Sequence, residues 1–312
     1  MTMATVIVHT AGLLTTVQDR GRYGYQRFGM PVSGAMDVFS LELANLLVGN
    51  DPGDAGLEAT ISGPELEFTG ATCIAITGAD MDPHLNGQGI LINTAVVVRP
   101  GDRLGFRGLR SGCRAYIAFA GGIAVPSVMG SRSTYLRAGI GGFQGRALMP
   151  GDELPLGELE SLSPSDLLIR GADQRKPRLK KLPDGLIREY KHEQLIRIIS
   201  GPEAHYFEIG GLRSFLSTEY IVTAQSDRMG YRLSGEPIRH KEGATNIISA
   251  GISLGTVQVP GDGQPIILMA DRQTSGGYAR IANVIAADLT LIAQMRPGDK
   301  IRFKETTLDV AL

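Results

Sequence analysis

The stretch RPGDRLGF (residues 99–106) places a Pro-Gly-Asp turn between two strand-like runs. The same pattern returns as MPGDELPL (149–156) and RPGDKIRF (296–303), with a looser copy in VPGDGQPI (259–266). Proline presets φ, glycine accepts a positive φ and aspartate bonds the backbone beyond it, so each copy predicts a turn. Because copies occur in both halves of the chain, we expect the same kind of β barrel to be built twice.

The runs around these turns have the composition of short strands. TCIAITG, AVVVRP and RAYIAFAGG are rich in β-branched and aromatic residues and are bounded by turn signals. With 41 glycines and few long helical patterns, the chain is predicted to be mainly β. One helix is expected over residues 36–50, where apolar residues fall at helical spacing between Asp37 and Gly49. A second is expected over 205–217.

The length of 312 residues fits two domains of about 150 residues each. We expect an N-terminal domain over 1–157 and a C-terminal domain over 195–312. The segment 158–194 between them is charged and contains several prolines, which is typical of a linker.

Composition and motif searches exclude several classes of function. A net charge of −1 favours neither nucleic acid nor a membrane as partner, and the N-terminus lacks the pattern of a signal peptide. We therefore expect a cytoplasmic protein, with Cys73 and Cys113 as buried reduced thiols. The scattered histidines predict no metal site. GIGGFQG (139–145) lacks nucleotide-binding spacing, and GISLG (251–255) precedes a strand rather than a helix, which argues against Ser253 as a nucleophile.

Four glycine-rich segments combine Arg, Gln or Asp with hydroxyl groups, as expected for binding a small anionic or amide-bearing ligand. The alternative is that these loops are structural turns whose charges pair internally. The binding interpretation requires several of them to converge on one pocket. The candidates are Gln18, Asp19 and Arg22, then Ser131, Arg132, Ser133 and Thr134, then Ser226, Asp227 and Arg228, and finally Gln273, Thr274 and Gly276.

The same segments resemble the biotin-dependent carboxyltransferase-like family, also called allophanate hydrolase subunit 2 or KipA. The resemblance is carried by TTVQDRGRYGYQRFGMPVSGAMD (15–37), GSRST (130–134), SDRMGYRLSG (226–235) and ADRQTSGGY (270–278), and it runs from about residue 8 to 305. It implies two cyclophilin-like β-barrel domains with a few short helices. The branch that the motifs resemble most is the C subunit of bacterial ATP-dependent 5-oxoprolinases.

This resemblance also implies partners and an activity. Two further proteins, one KipI-like and one LamB/YcsF-like, would form a hetero-oligomer with this chain and open 5-oxo-L-proline to L-glutamate, with ATP hydrolysis. Two alternatives stay open: a carboxyltransferase that uses biotin, as in urea carboxylase, and a KipA-like regulator that binds a kinase inhibitor. Against the biotin alternative, the sequence contains no biotin carboxylase region and no A/V-M-K-M segment.

Matching the family motifs residue by residue places these candidates in them without identifying a base or a nucleophile. We expect Asp19, Arg228 and Gln273 to be catalytic and the other candidates to bind substrate. Asp227 departs from the pattern, since Asn often stands there in the nearest branch. On this assignment we expect Arg228→Ala to abolish turnover with little change in melting temperature. A large fall in melting temperature would instead place Arg228 in a structural ion pair.

Overall fold

A computed structural model of the chain describes residues 4–158 and 181–311. The chain forms two compact units. Of the described residues, the first unit comprises 4–22, 37–158 and 181–189, and the second comprises 23–36 and 190–311. The sequence did not predict that 23–36 belongs to the second unit, and most of the predicted linker, residues 159–180, lies outside the described residues.

The first unit is built from two antiparallel sheets. One sheet has the strand order β11-β1-β4-β9-β6-β7 and the other β2-β3-β10-β5-β8. Its core is formed by residues such as Leu57, Phe68, Ile74 and Phe119, which are fully buried. The strands are β1 Thr5–Thr10, β2 Leu14–Gln18, β3 Gly56–Thr60, β4 Glu65–Phe68, β5 Thr72–Asp80, β6 Pro83–Leu85, β7 Gln88–Gly89, β8 Ala95–Val98, β9 Arg103–Phe106, β10 Ser111–Phe119 and β11 Glu153–Pro155.

One α-helix, α1 (Val38–Val48), packs on β5 and β10 of the first unit. The Asp37 side chain accepts a hydrogen bond from the Ser40 N–H at 3.1 Å, which caps the first turn. Gly49 ends the helix in the left-handed region, with φ +84°. The helix predicted over 36–50 is therefore confirmed, together with both end signals.

The second unit contains one eight-stranded sheet in the order β12-β19-β13-β14-β17-β16-β18-β15. Because β12 also pairs with β18, the first seven strands in this order close into a barrel, and β15 lies outside it. The strands are β12 Glu193–Ser200, β13 Tyr220–Val222, β14 Gly230–Ser234, β15 Asn246–Gly251, β16 Thr256–Val259, β17 Ile266–Leu268, β18 Ser275–Val284 and β19 Lys300–Glu305.

Short helices complete the second unit: α2 (Ile209–Ser217), α3 (Ala286–Ala293) and α4 (Leu308–Ala311). Helix α2 covers only the later part of the helix predicted over 205–217, because Ala204–Tyr206 form a separate 3₁₀ turn. Phe215 on α2 packs against Phe303, with ring centroids 4.5 Å apart, and so joins the barrel core. Further 3₁₀ turns lie at Gln26–Phe28, Leu136–Ala138 and Asp184–Leu186.

The three close copies of the Pro-Gly-Asp motif form the same turn. In each, the aspartate N–H donates to the carbonyl three residues earlier, and the aspartate carboxylate accepts from the N–H of that residue. The pairs are Asp102 with Arg99, Asp152 with Met149 and Asp299 with Arg296. Their glycines have φ of +85°, +90° and +93°. The looser copy forms a different turn, in which Gly263 rather than Gly261 takes the positive φ.

Two other expectations are confirmed. The chain is mainly β with a few short helices, and Cys73 and Cys113 are buried. The Asn86-Gly87 pair links β6 to β7 with both residues at positive φ, as in a tight hairpin turn. Among the described residues, no helix is long and apolar enough to cross a membrane.

Candidate functional site

In the first unit the predicted residues form one connected group, here called the Asp19 cluster. Its members are Gln18, Asp19 and Arg22 at the end of β2 and just beyond it, and Ser131, Arg132, Ser133 and Thr134 on the loop after β10. Thr134 continues the edge of β2, because its N–H and its hydroxyl both donate to Val17 O, at 3.0 and 2.9 Å. This pairing holds two segments together that lie more than a hundred residues apart in sequence.

Asp19 is the centre of this cluster and accepts four hydrogen bonds. Ser131 Oγ and the Gly21 N–H donate to Oδ1, each at 2.7 Å, and Ser133 Oγ also donates to Oδ1. The Arg132 N–H donates to Oδ2. An ionised carboxylate offers about four acceptor positions, so the geometry favours Asp19 as the group that holds the 131–133 loop. Its predicted catalytic role stays a prediction.

Gln18 is fully buried at the end of β2. Its Nε2 donates to Thr16 Oγ1 at 3.0 Å and to Thr134 O at 3.2 Å, while Oε1 has no hydrogen-bond partner among the described residues. Arg22 is also fully buried and donates from Nη2 to Ser133 O. A Cβ at Gly141 would overlap Ser133 O and crowd the Arg22 guanidinium, so only glycine fits beside this arginine.

Arg132 differs from its neighbours because its side chain is exposed. Its Nε donates to Val125 O at 2.9 Å, which fixes the plane of the guanidinium. Its two terminal nitrogens have no hydrogen-bond partner in the part of the chain that the structure describes. The Asp19 cluster therefore presents the guanidinium group of Arg132, in a fixed orientation, at the protein surface.

In the second unit Arg228 lies in a buried ion pair. Its Nε donates to Asp271 Oδ2 at 2.9 Å and its Nη2 to Asp271 Oδ1 at 3.1 Å, and it also reaches Gly34 O at 2.5 Å. Ser33 Oγ donates to Asp271 Oδ1 at 2.7 Å. These bonds fasten the segment Tyr23–Met36 to the rest of the second unit, so we now expect Arg228→Ala to lower stability.

Ser226 and Asp227 organise the turn between β13 and β14. Ser226 Oγ accepts from the Arg232 N–H at 3.0 Å, and Asp227 Oδ1 accepts from the N–H groups of Met229 and Gly230 at 2.8 and 3.2 Å. Both side chains thus bond the backbone of their own loop. Their predicted role in substrate binding stays a prediction.

Gln273, Thr274 and Gly276 lie at the start of β18. A Cβ at Gly276 would meet Ile252 Cδ1 at 2.6 Å and would lie 3.0 Å from Gln258 Nε2 and 3.4 Å from Gln273 Nε2. The absence of a side chain at Gly276 therefore leaves room for two amide groups. Thr274 O accepts from the Ile252 N–H at 3.1 Å, which holds the same corner together.

The sequence analysis did not single out Arg272, although this residue lies inside the motif ADRQTSGGY (270–278). Its guanidinium is half-buried and donates to two backbone carbonyls, Ile252 O at 3.4 Å and Met269 O at 3.2 Å. Burial lowers the pKa of Arg272 from its ordinary value. An arginine directly before the predicted site residue Gln273 was the signal that could have identified it.

A polar group inside the first unit was also missed, because its members alternate with apolar residues on strands. Tyr116 on β10 donates from its hydroxyl to Glu58 Oε2 at 2.7 Å, and Arg114 lies 3.8 Å from Glu58. The Tyr116 oxygen accepts from the Asp37 N–H at 2.8 Å, which links β10 to the start of α1. Burial, followed by the negative charges of Glu58 and Asp37, raises the pKa of Tyr116 well above its ordinary value.

Ser253 of the GISLG segment hydrogen-bonds to neighbouring side chains. Ser253 Oγ bonds Thr256 Oγ1 and Asn283 Oδ1, both at 2.9 Å, and strand β16 follows it. Within residues 4–158 and 181–311, no group of three or more His, Cys, Asp or Glu side chains could hold a metal ion.

Comparison with known proteins shows the family to which this chain belongs. Residues 28–305 match the family model for the carboxyltransferase domain, subdomains A and B, and the chain is a member of that family. The crystal structure of the K. lactis urea amidolyase superposes on this chain with a TM-score of 0.89 and 33% identity, covering 98% of this chain and 19% of that one.

Two sequence relatives differ in how much of their length this chain spans. The 5-oxoprolinase C subunit of Escherichia coli (strain K12) is 38% identical over 302 residues, which are 97% of this chain and 91% of that protein. The urea amidolyase of Lachancea kluyveri is 37% identical over 315 residues, which cover 97% of this chain but only 17% of that protein. The resemblance predicted from the motifs is thus confirmed at the level of the family.

Proposed function

We propose that this chain is the C subunit of an ATP-dependent 5-oxoprolinase, an enzyme complex that converts 5-oxo-L-proline to L-glutamate. The observation that carries the proposal is the mutual coverage with the E. coli C subunit, which extends over nearly the full length of both chains. A urea amidolyase, by contrast, corresponds to this chain over only a small part of its own length.

The proposed reaction suits the chemistry of these clusters. ATP transfers its terminal phosphoryl group to the lactam oxygen and ADP leaves. Water then adds to the lactam carbon, and cleavage of the C–N bond frees the amino group and leaves an acyl phosphate. A second water hydrolyses this acyl phosphate, which releases glutamate and phosphate. Such a substrate carries a carboxylate and an amide, which arginine forks and glutamine amides recognise. Arg132, Gln18, Gln258 and Gln273 are groups of these kinds.

We propose a KipI-like protein and a LamB/YcsF-like protein as the partners in a hetero-oligomer, and ATP as a co-substrate of the complex. No residue of this chain is assigned to ATP. The glycine-rich turn 139–145 bonds its own neighbourhood, since the Gly142 N–H donates to Arg132 O and the Gly145 N–H donates to Gly141 O. It therefore lacks the helix-opening form of a phosphate-binding loop. Consumption of ATP supports a cytoplasmic location.

The test is reconstitution of this chain with its KipI-like and LamB/YcsF-like partners, and assay of ATP hydrolysis with 5-oxo-L-proline, urea and allophanate side by side. We expect hydrolysis only with 5-oxo-L-proline, together with equimolar glutamate. Substrate-independent hydrolysis, or none with every component folded, would contradict the proposal.

A second candidate is a carboxyltransferase that uses biotin on a separate chain. It is favoured by one observation, the near-equal identity to urea amidolyase, 37% against 38%. Carboxylation of urea on addition of a carboxybiotinylated partner would support this candidate over the first. The KipA-like regulatory alternative stays a prediction and would show binding to a kinase inhibitor without turnover.

A further inference from the structure

A cavity of about 360 Å³ lies in the first unit beside the Asp19 cluster. Its walls include the apolar side chains of Val125, Pro126, Val128 and Phe143, and one side is closed by the glycine-rich turn 141–145. Its volume falls at the small end of the range for ligand cavities, about 300–1,000 Å³. The cavity therefore suits a small molecule with an apolar body.

Arg132 is bonded to two residues that line this cavity. Its Nε donates to Val125 O at 2.9 Å, and its carbonyl accepts from the Gly142 N–H at 3.0 Å. Its own N–H donates to the Asp19 carboxylate. The backbone and Nε of Arg132 are thus fixed at the border of the cavity, and the terminal nitrogens are bonded to the same guanidinium carbon as Nε.

The charge of Arg132 is not neutralised by an ion pair among the described residues. Asp54 interacts with it electrostatically without forming an ion pair. Desolvation by burial raises the pKa of Asp54, a hydrogen bond from the Asp51 backbone lowers it, the charge of Asp51 raises it and the charge of Arg132 lowers it. The terminal nitrogens of Arg132 therefore keep N–H groups that no described residue uses.

We propose that this cavity is a binding site for a small carboxylic acid, whose carboxylate is held by the terminal nitrogens of Arg132 while its compact ring enters the space lined by Val125, Val128 and Phe143. The proposal rests on the proposed function, because 5-oxo-L-proline is a compact ring that carries one carboxylate. It assigns recognition of that carboxylate to this chain of the complex.

The test is isothermal titration calorimetry of the full chain with 5-oxo-L-proline and with 2-pyrrolidone, the same ring without the carboxylate. We expect the wild-type chain to prefer 5-oxo-L-proline, and Arg132→Gln to weaken its binding by about 10- to 100-fold while leaving 2-pyrrolidone unchanged. Arg99→Gln removes the same charge from an exposed site of the first unit and is the matched control, expected to bind as wild type.

A second variant tests the cavity itself. Ala124 is exposed at its rim, so Ala124→Phe fills the space without altering Arg132 and should weaken both ligands equally. Wild-type affinity in Arg132→Gln or in Ala124→Phe, or no binding by the wild-type chain, overturns the site.

The reconstituted complex separates this inference from the proposed function. Turnover of 5-oxo-L-proline with a KM unchanged by Arg132→Gln overturns the carboxylate site and leaves the function standing. Absence of turnover in the wild-type complex, combined with binding that depends on Arg132, overturns the function and leaves the site standing.

Discussion

At the scale of single residues, Arg228 shows how burial decides the role of a charged group. Only 6% of Arg228 and 5% of Asp271 is exposed, and the two side chains share two hydrogen bonds. Removing one member of a buried pair leaves the other charge without compensation, which costs far more than the pair contributes by itself.

We therefore expect Arg228→Ala to lower the free energy of unfolding by about 3–5 kcal/mol, because Asp271 stays buried without its bidentate partner. Urea denaturation followed by circular dichroism measures this change. Arg232→Ala, which removes an exposed arginine from the adjacent strand, is the control and should stay within about 0.5 kcal/mol of wild type. A stable Arg228→Ala protein without turnover would restore the catalytic interpretation derived from the motif.

Single residues also set the limit of what the sequence could predict. Ser33 and Asp271 are 238 positions apart, and nothing local in either segment indicates their hydrogen bond. The assignment of Tyr23–Met36 to the second unit follows from this tertiary contact, so periodicity and turn chemistry could not predict it. The same holds for Glu58 and Tyr116, whose pairing depends on the register of β3 against β10.

At the scale of elements, the chemistry of neighbouring residues was sufficient to predict the turns and the ends of α1. The Pro-Gly-Asp motifs, the Asn86-Gly87 turn and the ends of α1 each depend on residues within a few positions of one another. Their structures were therefore predictable, whereas the looser copy at 259–266 was predicted as the same turn and forms a different one. Helix α2 was predicted too long because the 3₁₀ turn at its start shares the same apolar pattern.

The glycine of these turns is required for its backbone conformation alone. Gly151 has φ +90° and a Cβ there would meet nothing within 4 Å. We expect Gly151→Ala to lower the free energy of unfolding by about 1–2 kcal/mol, the cost of placing an L-residue in the left-handed region. The urea midpoint measures it. Gly108, which also has open space but no positive φ, supplies the control, and equal effects at both positions would refute this explanation.

Asp152, in the second Pro-Gly-Asp turn, should make the free energy of unfolding depend on pH. Asp152 accepts two hydrogen bonds from Arg146, both at 2.7 Å, and these lower the pKa of its carboxyl. A lowered pKa in the folded state contributes stability above the unfolded pKa, about 3.9, and this is lost as the pH falls through the folded pKa.

Asp152→Asn should accordingly be less stable than wild type by about 1–3 kcal/mol at pH 7, and the difference should shrink below about pH 4. Chemical denaturation at pH 7, 5 and 3 measures it. A difference that stays constant over this range would show that the charge of Asp152 contributes nothing. Asp262→Asn, in the looser copy, is the matched control.

At the scale of the whole molecule, each compact unit carries its own group of polar loops on its own β framework. The first unit combines the Asp19 cluster with a cavity and an exposed arginine, and the second holds Arg228, Asp271 and the glutamine pair at Gly276. Family membership was predictable because the motifs are long and occur in a fixed order along the chain. The roles of their residues depend on burial and on hydrogen-bond partners, which arise only in the folded structure.

The central claim is that this chain is an obligatory component of an enzyme that opens 5-oxo-L-proline. The most direct measurement is glutamate formation from 5-oxo-L-proline and ATP by the KipI-like and LamB/YcsF-like partners, with and without this chain. We predict that glutamate forms only when the chain is present, and that the rate saturates at a fixed ratio of this chain to its two partners. Equal rates with and without the chain would contradict the account.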